Sequence, residues 1–435
     1  MGIYDYQEAF GAWDRTTGAM RKAIREWFEL YYQSEATADS DPCQRIPYTV
    51  VTKLVKTIFG EYKVSAKSPA VQQIADQLDR HRKAAMQLAL VGGECYIKPC
   101  PDAAGFSFTL IPRNNVLIFG RDANGVPTDM GTVERRVQGN YYYTLLERRT
   151  VDEHGYLTIE NRLYRASSSG ALGTQVRLSE HPAYADLAQE YRYPMPVGSV
   201  GLACLKTPMV NCVDGSPDGV AVFAPAVGLI RNIDRNEAQM NGEFNRGQSR
   251  IIASADLLNR NTLGSRELTE HLFVGLDEDP EQVGLTIFSP ELREQSFLAR
   301  KQEYLRNVES VIGLKRGMLS DANAEQRTAT EIAASAADYN LTVIDFQQMW
   351  ENAMNQAVQL CCTLARMYKL ETPDNTHLSI DWGNGVLYDE DKTWEEYKAM
   401  VAAGLLKPEI ALGWRFNMDA DTAAQLEAIR TRYMP

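Results

Sequence analysis

The chain has 435 residues, 44% of them hydrophobic, and a formal net charge of −12 at pH 7. A chain of this length and composition can bury more than one core, so two or three domains are expected and general disorder is excluded. The negative charge argues against a protein whose task is to grip nucleic acid, because Lys and Arg supply that affinity by neutralising phosphates.

The sequence shows no sign of a membrane span, a secretory signal or a metal site. No run approaches about eighteen apolar residues, and the N-terminus MGIYDYQEAF lacks the basic and then apolar pattern of a signal peptide. We therefore expect a soluble, intracellular protein. The cysteines form no C-x-x-C pair and have no histidine at metal-ligand spacing, which predicts reduced thiols, no metal and no cofactor.

The first half of the chain is predicted to pass from helices to a sheet. Residues 1–34 place aromatic side chains among charges, which predicts an amphipathic helix that docks on another surface as an N-terminal arm. Helices are also expected from Ile46 to about Gly60 and from Ser68 to about Leu90. Short alternating runs then predict an antiparallel sheet. The predicted strands are ECYIKPC, FSFTLIP, NVLIFG, YYYTLLERRTV, YLTIENRLYR and TQVRLS.

Two further predicted helices enclose a small β-containing insert. Pro225 suits the first turn of a helix that begins near residue 224 and ends near Gly247. Residues 249–290 return to short strands and loops, and the next helix is expected from Pro290 to about Gly313. A loop with two glycines, GLKRGMLSDANA, follows it.

One long helix is predicted from Glu331 to Lys369, because this stretch has neither Pro nor Gly. Thr328 and Glu331 match the S/T-x-x-E capping box at its start. A helix of this length needs apolar neighbours throughout, so it belongs to a large core or to an assembly. After it, LSIDWG predicts a strand, and the stretch from Asp389 predicts a small module of two short helices. The expected apolar face is Phe346, Trp350, Met354, Ala357, Cys361, Leu364 and Tyr368.

The usual enzymatic signatures are missing from the sequence. It contains no G-x-x-x-x-G-K-[ST], G-x-G-x-x-G, H-E-x-x-H or G-x-S-x-G motif, and its histidines are scattered. We therefore expect no enzymatic activity.

Several short stretches and their order resemble a known family. They are VTKLVKTIFGEYKV, LVGGECYIK, SPDGVAVFAPAVGLIRNID, RIIASADLL, TATEI at Thr328 to Ile332, and AAGLLKPEIAL. In these stretches the chain resembles tailed-bacteriophage portal proteins of the SPP1-like group. The resemblance covers nearly the whole chain in order, which matters more than any single short motif.

The resemblance implies an α+β subunit of a homo-oligomeric ring, usually a dodecamer, at one capsid vertex. The subunit number stays open, because such rings also close with other counts. The implied parts are residues 1–222 and 327–384 for the wing, which includes the long helix and a return strand, 223–248 and 291–313 for the two stem helices, 249–290 for the clip, 314–326 for the tunnel loop and 385–435 for the crown.

The resemblance also implies a function and a set of partners. Such a ring is the conduit for packaging and ejecting double-stranded DNA, and it contacts terminase, a head-tail adaptor, and the major capsid and scaffolding proteins. The protein would be assembled in the host cytoplasm, reside in the virion and have no membrane partner. The alternative is another head-tail connector or capsid component. A nucleotide-driven motor or nuclease is disfavoured by the missing phosphate loop.

Two sets of residues are predicted to face the DNA channel. In the stem, an acidic lining would repel phosphates and keep DNA moving, although each glutamate could instead bridge to a cation of the neighbouring subunit. In the loop, Lys315 and Arg316 could contact phosphates weakly or pair with acids of an adjacent loop. The loop set is Lys315, Arg316, Met318, Ser320 and Asp321, and the stem set is Glu237, Glu243, Glu294 and Glu303.

Overall fold

A computed structural model describes most of the chain. The described residues are 6–32, 42–102, 105–246, 250–253, 258–260, 266–268, 285–288, 292–321, 329–368, 370, 376–383, 390–416, 418, 420 and 422–433. They form two compact units. The first unit is Met1–Glu29, Thr49–Ala224 and Thr328–Pro435, and the second is Leu30–Tyr48 and Pro225–Arg327. Helices and antiparallel sheets are both present, so the predicted α+β class is confirmed.

The N-terminal segment is part of the core of the first unit. It forms α1 (Gln7–Phe10) and α2 (Gly18–Tyr32). The predicted amphipathic helix is present, but its apolar residues Ile24 and Trp27 are buried. Phe10 packs on Phe119, with ring centroids 5.3 Å apart. The prediction of an N-terminal arm is therefore wrong for the described residues, because their apolar face is already covered by the same chain.

The helix predicted from Ser68 to Leu90 is two helices. After α3 (Ile46–Ile58) and β1 (Lys63–Ala66), the chain forms α4 (Pro69–Asp79) and α5 (Arg82–Gly92). The junction contains neither Pro nor Gly. Instead, Arg82 pairs with Asp79 and lies over the Tyr62 ring, with its guanidinium carbon 5.4 Å from the ring centroid. The boundary between α4 and α5 thus coincides with tertiary contacts of Arg82. Such contacts do not change the spacing of apolar residues, so the sequence did not predict the boundary.

Two antiparallel sheets follow α5. The smaller sheet has the order β10-β2-β3, from β2 (Glu94–Asp102), β3 (Gly105–Pro112) and β10 (Ala203–Lys206). The larger sheet has the order β4-β5-β6-β7-β8, and β9 also pairs with β7. Its strands are β4 (Val116–Arg121), β5 (Pro127–Gln138), β6 (Tyr141–Val151), β7 (Tyr156–Ala166), β8 (Thr174–Val176) and β9 (Glu190–Pro196).

The predicted antiparallel sheet is confirmed, but three strands were missed. These are β5, β9 and β10. The sequence of β5, PTDMGTVERRVQ, is largely polar, β9 is mostly exposed and contains two prolines, and β10 has only four residues. β5 and β10 lack the apolar alternation that marks a half-buried strand. In β9, Tyr191, Tyr193 and Met195 do alternate, but its two prolines argue against a strand. A cluster of buried side chains joins the two sheets: Tyr96, Ile111, Val116, Ile118, Met130, Val200 and Leu202.

In the second unit, a pair of helices encloses short strands. They are α6 (Val227–Arg246) and α7 (Glu294–Ile312). Glu237 pairs with Lys301 and Glu243 pairs with Arg293, so the two helices run antiparallel. Short strands are confirmed at both ends of the predicted insert, whereas a strand predicted in HLFVGL lies outside the described residues. The described strands pair as β11 (Arg250–Ala253) with β14 (Leu285–Phe288), and as β12 (Leu258–Arg260) with β13 (Arg266–Leu268).

The long helix is confirmed as α8 (Ala329–Tyr368). At about 1.5 Å per residue it spans about 60 Å. The predicted apolar face is buried in the first unit except for Tyr368, which is 49% exposed. The sequence predicts a large core or an assembly as the cover for this apolar face. From Tyr339 onward, the core of the same chain covers it. The predicted cap stays a prediction, because Thr328 and the side chain of Glu331 lie outside the described part of the structure.

An aromatic cluster packs α8 against the segment between α3 and β1. The Trp350 ring meets Phe59 edge to face, with centroids 5.6 Å apart, and its Nε1 donates to the Tyr62 hydroxyl at 3.2 Å. Burial raises the pKa of Tyr62 to about 12, so this hydroxyl stays neutral. The strand predicted in LSIDWG is β15 (Leu378–Asp381), which pairs with β1.

The C-terminal module has three helices where two were predicted. They are α9 (Glu390–Ala402), α10 (Pro408–Arg415) and α11 (Ala423–Tyr433). Gly404 has a φ of 73° just beyond α9, and Pro408 opens α10. Gly beyond a helix and Pro in the first turn of the next are ordinary boundary signals. Across the described residues, no helix combines the length and apolarity needed to cross a membrane.

Candidate functional site

Ion pairs join the two helices of the second unit. Lys301 Nζ donates to Glu237 at 2.9 Å and to Gln44 at 3.0 Å. The Glu243 carboxylate accepts from the Arg293 backbone N–H at 2.9 Å and from its guanidinium Nη2 at 2.5 Å. These hydrogen bonds raise the pKa of Arg293 above its ordinary value. Both glutamates therefore have cationic partners within their own chain.

The four predicted stem glutamates thus fall into two groups. Glu237 and Glu243 take part in the pairs between α6 and α7, an arrangement that the sequence reasoning did not consider. Glu294 and Glu303 are exposed on α7. Glu303 lies 3.5 Å from Arg306, one turn along the same helix. Exposed pairs of this kind contribute little stability, so Glu303, like Glu294, stays accessible to solvent.

The residues that follow α7 fold back onto its last turn. Gly313 ends the helix with a φ of 78°, and the Leu314 N–H donates to the Glu309 carbonyl at 2.8 Å. The Met318 N–H then donates to the Lys315 carbonyl at 3.1 Å. Gly317, the third residue of that four-residue turn, has a φ of 85°. A turn that needs positive φ at its third position favours Gly there.

The turn presents Lys315 and Arg316 to solvent. Both side chains are exposed, as is Asp321, whereas Met318 is half-buried. Ser320 is buried, and its hydroxyl donates to the Glu309 carboxylate at 2.8 Å. Ser320, one of the residues predicted to face the channel, is therefore buried, and its hydroxyl is used in a hydrogen bond within the turn. Residues 322–326 of the predicted tunnel loop lie outside the described part of the chain.

Sequence reasoning overlooked Glu309, which organises this loop. Its carboxylate accepts hydrogen bonds from the backbone N–H groups of Gly317, Leu319 and Ser320. The available signal was its position directly after Val308, inside the apolar spacing of Leu305, Val308 and Ile312. An acid at the edge of a buried face needs partners, and a glycine-bearing loop nearby can supply backbone donors.

A buried charge network holds a second loop, in the first unit. Arg113 is fully buried, and its guanidinium lies 3.2 Å from Glu94 and 3.0 Å from Asp218. Arg121 also contacts Asp218 at 2.6 Å. The Gly219 N–H donates to Glu94 at 2.9 Å. The turn around Ser216 is thus anchored by Arg113, which lies between β3 and β4, by Arg121 of β4 and by Glu94 of β2.

The comparison with known protein families identifies the chain. A family model described as phage portal protein, SPP1 Gp6-like, matches residues 132–433, which is well over half of the sequence. The chain belongs to this portal family. The resemblance predicted from short motifs is therefore confirmed for this region, which includes α6, α7, the loop after them and α8. No curated protein matches the chain.

Family membership describes the portal chain in general terms. Portal proteins are structural components of the phage virion. They assemble into oligomeric rings, and these rings contact other phage proteins. Within the described residues, no group of three or more His, Cys, Asp or Glu side chains is arranged to hold a metal ion. All seven cysteines are free thiols. Burial raises the pKa of Cys95 to about 12, which keeps this thiol protonated and unreactive.

A cavity of about 320 Å³ lies in the first unit of the portal chain. Its charged lining residues already have partners: Lys98 contacts Glu147 at 2.5 Å and Arg136 contacts Glu134 at 2.6 Å. Arg135 donates to the Tyr6 hydroxyl at 2.7 Å. Ligand sites usually present polar groups aimed at the ligand. These charged groups therefore contact protein side chains and are not aimed into the cavity as in a ligand site.

Proposed function

We propose that this portal chain closes into a ring, most simply a dodecamer, through which double-stranded DNA is packaged into the capsid and later ejected. The observation that carries the proposal is the exposed Lys315–Arg316 pair on a tightly held turn at the end of an antiparallel helix pair, in a chain of the portal family. The ring would also provide the docking surfaces for terminase, the head-tail adaptor, and the major capsid and scaffolding proteins.

The proposed parts of the subunit follow the order of the elements. The helix pair α6 and α7 would form the stem, within residues 223–248 and 291–313, and each helix is about 30 Å long at 1.5 Å per residue. The short strands between them would belong to the clip, 249–290, and the turn after α7 to the tunnel loop, 314–326. The wing would be 1–222 with 327–384, and the crown 385–435.

The charges support transport of DNA better than tight binding of it. The chain has a net charge of −12, and Glu294 and Glu303 are exposed on α7. Like charges on a channel wall repel phosphates and leave no deep binding site along the path. Lys315 and Arg316 are the proposed exception, a point of weak and salt-screened contact. Glu237 and Glu243 would contribute less to repulsion, because cations neutralise them.

Electron microscopy of the purified protein tests ring formation directly. We expect rings with a central hole, and symmetry averaging would count the subunits. Monodisperse monomers that hydrolyse ATP would contradict the proposal.

The double variant Lys315→Ala/Arg316→Ala tests the DNA contact. We expect its rings to assemble normally, since both side chains are exposed, while phage complemented with the variant packages or retains less DNA. Measurements are the length of packaged DNA and infectivity. The matched control is Lys22→Ala/Arg25→Ala, which removes the same charge from exposed positions on α2. Unchanged DNA length and infectivity in the loop variant would count against the proposed contact.

A further inference from the structure

Glu309 is a buried acid whose side-chain partners among the described residues come from the loop that follows its helix. Its side chain is 1% exposed in the last turn of α7. One carboxylate oxygen accepts from the Leu319 and Ser320 N–H groups, the latter at 2.8 Å. The other accepts from the Gly317 N–H at 3.2 Å and from the Ser320 hydroxyl at 2.8 Å. Burying a charge is unfavourable without such compensation, so the carboxylate and the loop conformation depend on each other.

The contacts of Glu309 bracket the cationic turn on both sides. Its backbone carbonyl accepts from Leu314, directly before Lys315, and its carboxylate accepts from Gly317, Leu319 and Ser320 after the turn. Gln302, two turns earlier on α7, adds a hydrogen bond at 2.8 Å to the Asp321 N–H. Successive backbone N–H groups that converge on one point form a site for an anion. Here a side chain of the same loop-helix junction supplies that anion.

We propose that Glu309 is a positioning residue for DNA transport: its carboxylate fixes the turn that presents Lys315 and Arg316 to the DNA. This inference rests on the proposed function of the loop. A turn held on both sides keeps the two cations at one height and orientation in every subunit. Without the anchor, the same charges would sample many positions, and their contact with phosphates would lose its defined geometry.

Hydrogen exchange in the assembled ring tests the anchor itself. Glu309→Gln keeps the size of the side chain but turns one acceptor into an NH₂ group that faces backbone donors. We expect the amides of Gly317, Leu319 and Ser320 to exchange at least about tenfold faster, because the NH₂ group cannot accept from a backbone N–H and the remaining hydrogen bonds lose the carboxylate charge. Glu396→Gln, at an exposed position on α9, is the matched control and should exchange like the wild type. Unchanged exchange in Glu309→Gln would overturn the anchor.

Ser320→Ala provides a second variant that keeps the carboxylate. It removes only the hydroxyl contact at 2.8 Å. We expect a smaller acceleration of exchange in the same turn and an intact ring. No acceleration would contradict the anchor even if Glu309→Gln failed to fold.

Packaging assays separate positioning from mere structural support. We expect Glu309→Gln to lower packaged or retained DNA without changing the ring in micrographs. Combined with Lys315→Ala/Arg316→Ala, it should cause no further loss, because a positioning residue acts only through the groups that it positions. An additive loss would overturn the positioning role. So would normal packaging in Glu309→Gln alongside a defect in the cation variant, a result that leaves the proposed function standing. Normal packaging in the cation variant would instead overturn the DNA contact itself, whatever the exchange data show.

Discussion

At the scale of single residues, Glu147 shows how the first unit stabilises a buried charge. It is 4% exposed and accepts from Lys98 at 2.5 Å and from Arg149 at 2.6 Å. Burial alone would raise the pKa of Glu147, but the two cations overcome that effect and lower it to about 2. The carboxylate therefore binds its proton less readily in the folded chain than in the unfolded chain, and its contribution to stability depends on pH.

The sign of this dependence gives a prediction. A lowered pKa contributes stability above the unfolded value near 4.5, and that contribution is lost as the pH falls toward 2. We expect a loss of up to about 3 kcal/mol in the free energy of unfolding from this group over that interval. The measurement is denaturant unfolding of the first-unit transition from pH 6 to 2.5, with wild type compared with Glu147→Gln.

The variant should behave differently at both ends of the pH range. At neutral pH Glu147→Gln should be less stable by about 3 kcal/mol or more, because two cations lose their partner in a buried position. Its stability should then fall less steeply on acidification, whereas the exposed control Glu396→Gln should follow the wild type. Parallel pH curves for wild type and Glu147→Gln would show that Glu147 is not the titrating group.

At the scale of elements, α8 is stabilised by the packing of its buried face. The helix has 40 residues, and from Tyr339 onward its apolar side chains are buried at helical spacing while Leu341 remains 61% exposed. Its existence was predictable from its period and from the absence of Pro and Gly. Which elements cover it was not predictable, since β10, β2 and the Tyr62 region contact it only through long-range folding.

A pair of truncations on α8 tests this packing. Trp350→Ala should lower the free energy of unfolding by about 3 to 5 kcal/mol, because it leaves a cavity beside Phe59 and removes the hydrogen bond to Tyr62. Leu341→Ala, on the exposed side of the same helix, should change it by no more than about 0.5 kcal/mol. Denaturant unfolding monitors both. A comparable loss at Leu341 would indicate that this exposed face is covered in the assembled ring.

At the scale of the whole molecule, net charge predicts how the portal ring meets DNA in solution. A chain with a net charge of −12 repels the DNA polyanion overall, and Lys315 and Arg316 are its proposed phosphate contacts in the channel. We expect purified rings to bind linear double-stranded DNA more weakly than about 10⁻⁴ M at 150 mM salt, below ordinary non-specific DNA-binding proteins. Filter binding at several salt concentrations is the measurement. Micromolar affinity at that salt would contradict a channel that repels its cargo.

The sequence by itself determined the local structure and the family. Helical and strand periods depend on neighbouring residues, so α3, α6, α7, α8 and the main strands were predictable, and ordered motifs identified the portal family over residues 132–433. It also located Lys315 and Arg316 in a glycine-bearing loop.

Only the tertiary structure decided which groups meet. It divided the expected helix between α4 and α5, added β5, β9 and β10, and placed the N-terminal segment in a core. It paired Glu237 and Glu243 with cations of their own chain and made Glu309 the anchor of the loop. The physical reason is that burial and hydrogen bonding of a charge depend on residues distant in sequence or on the path of a folded loop, and neither leaves a periodic trace along the chain.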